Sequence, residues 1–443
     1  MNLEELKEIT RKSGVVGAGG AGFPSYAKMT DKADTVILNC VECEPLLKLH
    51  RQLLALHARE IIGMLDEVRA AMGAAEAFIG IKSEYKETIN AVDQVIGDYP
   101  KVRIHELKAA YPMGDEVVLI YEVTGRVISP GGLPIDENVV VYNVETMYNI
   151  YRAVHEGHPV TDKLVSIVGE IDTPKTLRLP LGMRVGDAVK AAGNVTVKEP
   201  AYLMGGPMMG RFGNEDTVIT KTTNAIIILP KDHKLVLQAD KDMKTEKRRA
   251  SSACCQCRTC TDLCSRHALG HPIEPHRIMR AVANSDTTDL APFLGAMYCS
   301  GCGICEKYAC PQGLSPKTII QEFKQALRAG GVPVEKKKAA PVPEGREERK
   351  VPVHRLAHRL GLHAYDREAA INDELTECSV LSVPLSQHIG APAKAAVAAG
   401  DRVSRGQIIA AAAEGLSVNI HSPIDGTVRS VGDREITLVK DNR

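Results

Sequence analysis

Tryptophan is absent from the 443 residues, and phenylalanine and tyrosine number only 5 and 12, so the chain has few flat faces on which successive bases could stack. Charge of one sign is missing too: 55 basic residues balance 55 acidic ones, and no long single-sign block stands out. DNA, RNA and an anionic membrane are therefore not expected as partners. No apolar run approaches the roughly 20 residues that a membrane-spanning helix needs. The opening Met1-Asn2-Leu3-Glu4-Glu5 has neither the basic nor the apolar region of a secretory leader. The expectation is a cytoplasmic chain, long enough for roughly three domains at about 100–200 residues each.

Cysteine, by contrast, is concentrated. Eight of the twelve fall in two runs, Cys254-x2-Cys257-x2-Cys260-x3-Cys264 and Cys299-x2-Cys302-x2-Cys305-x4-Cys310, the second followed by Pro311. Such clustering suits metal–thiolate chemistry better than a disulfide framework in so long a chain. Three cysteines at these intervals wrap three corners of one cubane, and in two-cluster ferredoxins the remote fourth closes the other cluster. The expected ligand sets are Cys254, Cys257, Cys260 with Cys310, and Cys299, Cys302, Cys305 with Cys264. The bland alternative is zinc, but zinc sites usually split into two ligand pairs across a longer loop, and three cysteines in seven residues crowd a tetrahedron. Two [4Fe-4S] clusters, moving electrons singly, are the expectation. Ser265 stands where proline usually follows the fourth cysteine, and the second run has one extra residue before Cys310; neither departure removes a ligand. Cys255 lies off the spacing and reads as packing beside a cluster.

The rest of the chain reads as modules of different texture. Helical spacing over 3–9, a glycine-rich loop over 17–22, strands at 35–39, 77–81 and 102–104 and helices over 46–72 and 84–96 alternate within residues 1–160, which predicts a Rossmann-like, doubly wound parallel sheet. Residues 161–238 have the short strands and turns of a small α+β module. Residues 239–329 are helical and hold the cysteines. Residues 330–377 hold a linker and a short helix: residues 330–351, rich in Gly, Pro, Lys and Glu, have the composition of a flexible linker. Residues 378–443, with short β-branched runs between turns, are expected to be all-β. The fold class is thus a multidomain α/β and α+β chain.

Glycines at 17, 19, 20 and 22 would let backbone amides approach a phosphate where a helix begins. They belong to G-x-G-G-x-G-F-P, running from Gly17 to Pro24, with Lys28 following; Asn39-Cys40-Val41-Glu42-Cys43-Glu44-Pro45, Tyr111-Pro112-Met113-Gly114-Asp115-Glu116 and Asn143-Val144-Glu145-Thr146 come later. In these four motifs the chain resembles the flavin-binding subunit of respiratory complex I and the C subunit of Rnf complexes. The resemblance implies a non-covalent FMN. Gly17, Gly19, Gly20 and Lys28 would lie towards its phosphate, and Asn39, Glu42, Gly114, Asp115, Glu116, Asn143 and Thr146 around ribityl and ring. Phe23 and Glu44 match the positions that meet NADH. Val41 stands where the complex I subunit has an acidic flavin contact, so that hydrogen bond is missing or replaced. Cys40 and Cys43 form a C-x-x-C that is either a redox dithiol or simple packing at a strand end. His354 and His358, one helical turn apart, read as a solvated face.

Residues 164–229 resemble the β-grasp, soluble-ligand-binding domain of this superfamily, and the C-terminal stretch resembles the barrel-sandwich hybrid of Rnf C subunits, with no carrier lysine where Val418-Asn419-Ile420 leads into His421. It reads as a docking or structural module. Rnf C subunits place that module first, whereas here it is last. That order, with Gly270-His271-Pro272-Ile273-Glu274-Pro275-His276 between the cysteine runs, resembles the cobalamin reductases of propanediol-utilisation microcompartments. The resemblance implies electrons passing from NADH through FMN and two [4Fe-4S] clusters to cobalamin or a cobalamin-handling enzyme. It places the chain in the cytoplasm or inside a bacterial microcompartment, with the shell or an adenosyltransferase as suggested partners. The alternative left open is an Rnf-like electron-transfer subunit that relays electrons between proteins.

Overall fold

The computed structural model describes residues 1–286 and 288–441. Helix α1 (Leu3–Lys12) opens on a capping box: the Asn2 side chain accepts from the Glu5 amide, and the Glu5 carboxylate accepts from the Asn2 amide. The glycine loop is pinched shut by a Val16–Pro24 bridge and runs into a single 3₁₀ turn, Ser25–Lys28. It does not open an α-helix as expected, so no helix dipole is aimed at its amides.

Strands β1 (Thr35–Cys40), β2 (Glu76–Lys82) and β3 (Val102–Leu107) alternate with α2 (Leu49–Leu56), α3 (Ala58–Ala71) and α4 (Lys86–Ile96). A short β4 (Ala110–Tyr111), α5 (Glu116–Thr124), β5 (Val139–Asn143) and α6 (Val144–His155) complete the first domain. The sheet is parallel in the order β3-β2-β1-β5. The chain reverses direction across β1, so the crevice beyond the carboxyl ends of β1 and β5 is where a doubly wound sheet takes its ligand. The helix expected over 46–72 is broken at His57 (φ −124°, ψ 40°), which separates α2 from α3; its ring stacks on Tyr148 of α6 at 4.4 Å.

The second module contains β6 (Asp162–Gly169), β7 (Lys175–Pro180), α7 (Val185–Ala192), β8 (Pro200–Met204), β9 (Arg211–Gly213) and β10 (Ala225–Pro230). After a short α8 (Lys234–Leu237), the cysteine-rich region folds as helices α9 (Met243–Ala253), α10 (Thr259–Asp262), α11 (Pro275–Ala283), α12 (Ala291–Leu294), α13 (Ile304–Lys307) and α14 (Pro316–Ala329).

The stretch expected to be a flexible linker is instead an ordered strap. Lys337 N donates to Pro130 O and Ala340 N to Gly270 O. Then β11 (Val351–Pro352) pairs with β4 of the first domain, and α15 (Val353–Arg359) buries Leu356. Finally β12 (Ile371–Leu375) adds to the second module, making the sheet β12-β7-β6-β10-β8-β9. Polar composition predicts looseness only where backbone groups have no partners, and here they have them.

The last module contains β13 (Val380–Pro384), β14 (Lys394–Ala395), β15 (Arg402–Val403), β16 (Ile408–Ala411), β17 (Ile420–His421), β18 (Gly426–Val431) and β19 (Glu435–Lys440), in two sheets, β13-β19-β18-β15 and β14-β16-β17. Its core residues Leu381, Ile409 and Leu438 belong to one apolar cluster with Val165, Leu179 and Ile226 of the second module. The hairpin between β16 and β17 lies on the first domain: Arg11 donates to Ala413 O and Ser417 O, Tyr26 Oη to Gly415 O, and Asn419 Nδ2 to Lys12 O.

Candidate functional site

A cleft of about 730 Å³ lies at the glycine loop and runs along the free edge of β5, with Asn39, Gly114, Glu116, Asn143 and Thr146 at its inner end. Gly17, Gly19, Gly20, Phe23 and Lys28 also line it. Its geometry comes from side chains that tie strand ends to neighbouring turns. Asn39 Nδ2 donates to Gly114 O at 3.0 Å, and Asn39 Oδ1 accepts from Val41 N. Asn143 Oδ1 accepts from Glu145 N and Thr146 N and so caps α6. Thr146 Oγ1 in turn accepts from Ala18 N of the glycine loop at 2.9 Å. A Cβ at Gly19 would strike the Asn143 amide, and one at Gly114 would run into Val41 O; at these two glycines the demand is for close approach. Two lysines, Lys28 and Lys32, line the cleft; Lys28 Nζ lies 2.8 Å from Glu116 Oε1 and donates to Val141 O on the edge strand.

Three expected residues do not line the cleft. Asp115 Oδ1 caps α5 by accepting from Val117 N and Val118 N, while Oδ2 pairs with Arg266 of the cysteine domain at 2.8 Å. Glu42 is buried one layer behind: Oε2 accepts from His50 N at 2.7 Å, and Oε1 faces His50 Nδ1 at 3.3 Å. Burial raises the Glu42 carboxyl to about 7 and lowers His50 to about 4. The His50 ring lies 3.2 Å from Asn143 Nδ2, so this pair touches the cleft wall through one intervening side chain. Glu44 points away entirely. Its carboxylate accepts from Met208 N and Met209 N of the second module, and burial raises it to about 7 beside Lys307 and Lys317. Its geometry is that of a bolt between domains, occupied on both oxygens, and not of a group free to meet a nicotinamide. Burial likewise pushes Cys40 well up and Cys43 to about 12, so neither is a ready thiolate.

The eight cysteines converge as two separate quartets. Cys254, Cys257, Cys260 and Cys310 share one small cavity, and Cys264, Cys299, Cys302 and Cys305 share another. Burial and the neighbouring sulfurs Cys257, Cys310 and Cys254 raise the Cys260 thiol to about 12, while Cys264, also raised to about 12, feels burial, then Cys302 and Cys299. The crossing of the two runs is therefore present in the fold. Each quartet of sulfurs surrounds a small space, and four cysteines set around a space are the donor set of a cubane.

The two loops follow the same path. Gln256 and Arg258 are left-handed in the first (φ 54° and 66°), as are Gly301 and Gly303 in the second (φ 78° and 82°). Around the second quartet, Gly301 N and Gln321 Nε2 both donate to Cys299 Sγ at 3.3 Å, and Lys324 Nζ donates to Cys299 O. Tyr111 Oη of the first domain donates to Cys302 O at 2.7 Å.

Several of these residues escape sequence reasoning. Arg266, Gln321 and Lys324 carry no motif signal, because their roles depend on long-range packing; Tyr111 sits in a motif whose glycine and acids draw the attention. Leu133, Pro134 and Ile135 reach the cleft from the loop before β5, and nothing local marks them. His358, expected on a solvated face with His354, stacks on His363 at 4.2 Å.

Comparison with known proteins follows the same modules. The Nuo51 FMN-binding domain family matches residues 10–152, the SLBB domain 164–212, the 4Fe-4S dicluster domain 253–315 and the RnfC barrel sandwich hybrid domain 361–442. The cobalamin reductase PduS of Salmonella typhimurium is 39% identical over 99% of this chain and 97% of its own length. Its counterpart in Citrobacter freundii is 38% identical over the same shares. The C subunit of the Na(+)-translocating ferredoxin:NAD(+) oxidoreductase complex of Acetobacterium woodii is 30% identical over 60% of this chain and 59% of its own. With a flavin domain, an SLBB domain, a dicluster domain and a barrel matched in turn and more than a third of all residues shared end to end, the chain belongs to the family of the cobalamin reductase PduS, an oxidoreductase family of flavin and iron–sulfur electron transfer.

Proposed function

We propose that this chain is an NADH-dependent cobalamin reductase that passes electrons from NADH through FMN and two [4Fe-4S] clusters to cob(III)alamin or cob(II)alamin. The observation that carries the reading is the serial placement of the quartets. The Cys264/Cys299/Cys302/Cys305 set adjoins the flavin domain through Tyr111 and through the Asp115–Arg266 pair. The Cys254/Cys257/Cys260/Cys310 set is lined by residues of the cysteine domain alone, with Cys257 exposed, and so is taken as the outer of the two. A flavin supplies the chemistry this order requires, since it accepts two electrons from a nicotinamide and releases them singly.

The chain's residues do the rest. Lys28 brings positive charge to the cleft for a phosphate, and Gly17, Gly19 and Gly20 let backbone amides come close. Asn39, Gly114, Glu116, Asn143 and Thr146 would border ribityl and ring, and Phe23 offers the aromatic face for NADH. Glu42, poised near neutrality beside His50, can hold or release a proton one side chain from the cleft wall. Glu44 fixes the second module against the first in place of touching substrate.

Anaerobic purification followed by iron, sulfide and flavin analysis tests the cofactors: about eight irons and one FMN per chain are expected, with a visible spectrum bleached by NADH. Cys257→Ala should keep NADH-dependent flavin reduction and lose reduction of cobalamin. Equal loss of both activities would sink the serial order, and zinc without flavin would sink the reading as a whole.

A further inference from the structure

A second large cleft, of about 720 Å³, opens on the outer face of the cysteine domain, framed by α9, α11 and α14. Its floor is apolar. Phe293 and Phe323 form a tilted pair with ring centroids 4.6 Å apart, flanked by Val282, Ala326 and Leu327. Leu290 at its edge is 61% exposed, a contiguous apolar surface of the kind that marks a binding site more often than bare solvent contact. One wall is basic. Lys244 and Arg248, one helical turn apart on α9, are both exposed; among the described residues neither makes an ion pair, whereas the neighbouring Lys247 is matched by Glu322 at 2.9 Å and lies over the Phe323 ring. Asp286 is the acid among the lining residues.

The cleft is also coupled to the electron path. Phe293 and Phe323 pack in the same apolar cluster as Cys254, Cys299 and Cys310. Ser251, on its wall, precedes Cys254 by three residues on α9, a rise of roughly 4.5 Å. No residue of the flavin cleft takes part in it.

We propose that this cleft is the electron-exit site, taking a corrinoid with the apolar edge of its macrocycle on the Phe293–Phe323 floor and its anionic phosphodiester tail towards Lys244 and Arg248. The assignment rests on the cobalamin-reductase reading above. The methyl groups on a corrin's rim, set between its amide side chains, and the single negative charge of its phosphodiester tail match a floor of two aromatic rings beside two unpaired cations. With Cys254, Cys257, Cys260 and Cys310 holding the outer cluster, the transfer would be one electron per event to cobalt, lowering it by one oxidation state, with NADH as the ultimate source and no atom transferred.

The test uses the holoenzyme, with equilibrium dialysis against hydroxocobalamin and against dicyanocobinamide, which lacks the phosphodiester tail. Lys244→Glu combined with Arg248→Glu should weaken hydroxocobalamin binding about tenfold and leave cobinamide binding unchanged. Ala326→Trp, at an exposed position, should fill the cleft and weaken both. NADH-driven ferricyanide reduction and the cluster spectrum should be as in the wild type, which excludes misfolding. Cobalamin binding and reduction that survive both variants would overturn the site alone. A wild-type holoenzyme that neither binds nor reduces hydroxocobalamin would overturn the functional reading and the site together.

Discussion

At the scale of single residues, the molecule's constraints are mostly steric and electrostatic, and each can be read out by one substitution. Gly114 faces Val41 O so closely that a Cβ cannot enter without moving β1's end or the 114 turn. Gly114→Ala should cost about 1–3 kcal/mol of stability, seen as a lower thermal midpoint, and reduce the FMN retained on purification. Lys221 is the opposite case: a wholly buried side chain whose Nζ, among the described residues, donates to Gly14 O and Asn419 O and faces no carboxylate. Burial lowers it to about 7 from an unfolded value near 10.5. Below pH 7 it is charged in both states and its desolvation weighs fully against folding. As pH rises from 7 towards 10.5 the folded chain sheds the proton and the unfolded chain keeps it, so stability gains. Lys221→Met should therefore raise the thermal midpoint most below pH 7, with the difference from wild type shrinking as pH rises to about 10; a constant difference would refute it. Gln321 donates to the sulfur of Cys299, and such hydrogen bonds raise a cluster's potential. Gln321→Leu should lower the potential of the inner cluster and leave the outer one unchanged in a redox titration followed by electron paramagnetic resonance. The grouping of the eight cysteines into two quartets was legible because the spacing of the two runs limits which sulfurs can meet. Gln321 and Lys221 were not, since the partners that give them meaning are 22 and about 200 positions away.

At the scale of elements, sequence reasoning succeeds where a period or a cap is local. Strands β1, β2 and β3 and the helix over 84–96 fall close to where the apolar runs and helical spacing put them, whereas β5, α5 and α6 were not expected, although Asp115 and Asn143 start the two helices as N-caps. The same fact changes the meaning of the motif residues: Asp115 spends one oxygen on α5 and the other on Arg266, which leaves none for a ring. Periodicity fails at His57, where stacking on Tyr148 breaks a helix whose apolar pattern runs on. Composition fails at the strap, because lysine and proline content reports solvent exposure and not the pairing of β11 with β4 or of β12 with β7. The strap is anchored by Leu356 and Leu360, both essentially inaccessible. Leu360→Ala should cost about 2–5 kcal/mol, measured by denaturant unfolding, and should expose the segment around 340 to protease before the sheets open.

At the scale of the whole molecule, the modules are interlocked. One apolar cluster unites Leu46 and Tyr111 of the first domain, Val168 and Leu203 of the second, Ile304 of the cysteine domain and Leu356 of the strap, and another runs through the second module and the barrel. Carriers mounted on such a frame keep fixed separations, which suits a path whose steps depend on distance. None of this was visible in the residue pattern, since an apolar residue declares that it is buried but not against which module. The barrel adds a last consequence. Its hairpin rests on Arg11 and Lys12, beside the very start of the flavin domain, although it belongs to the far end of the chain. In space, the barrel's hairpin is thus a neighbour of the carboxyl end of α1. The module that comes last along the chain thus closes against the first helix, so its position in the sequence and its place in the molecule are separate matters.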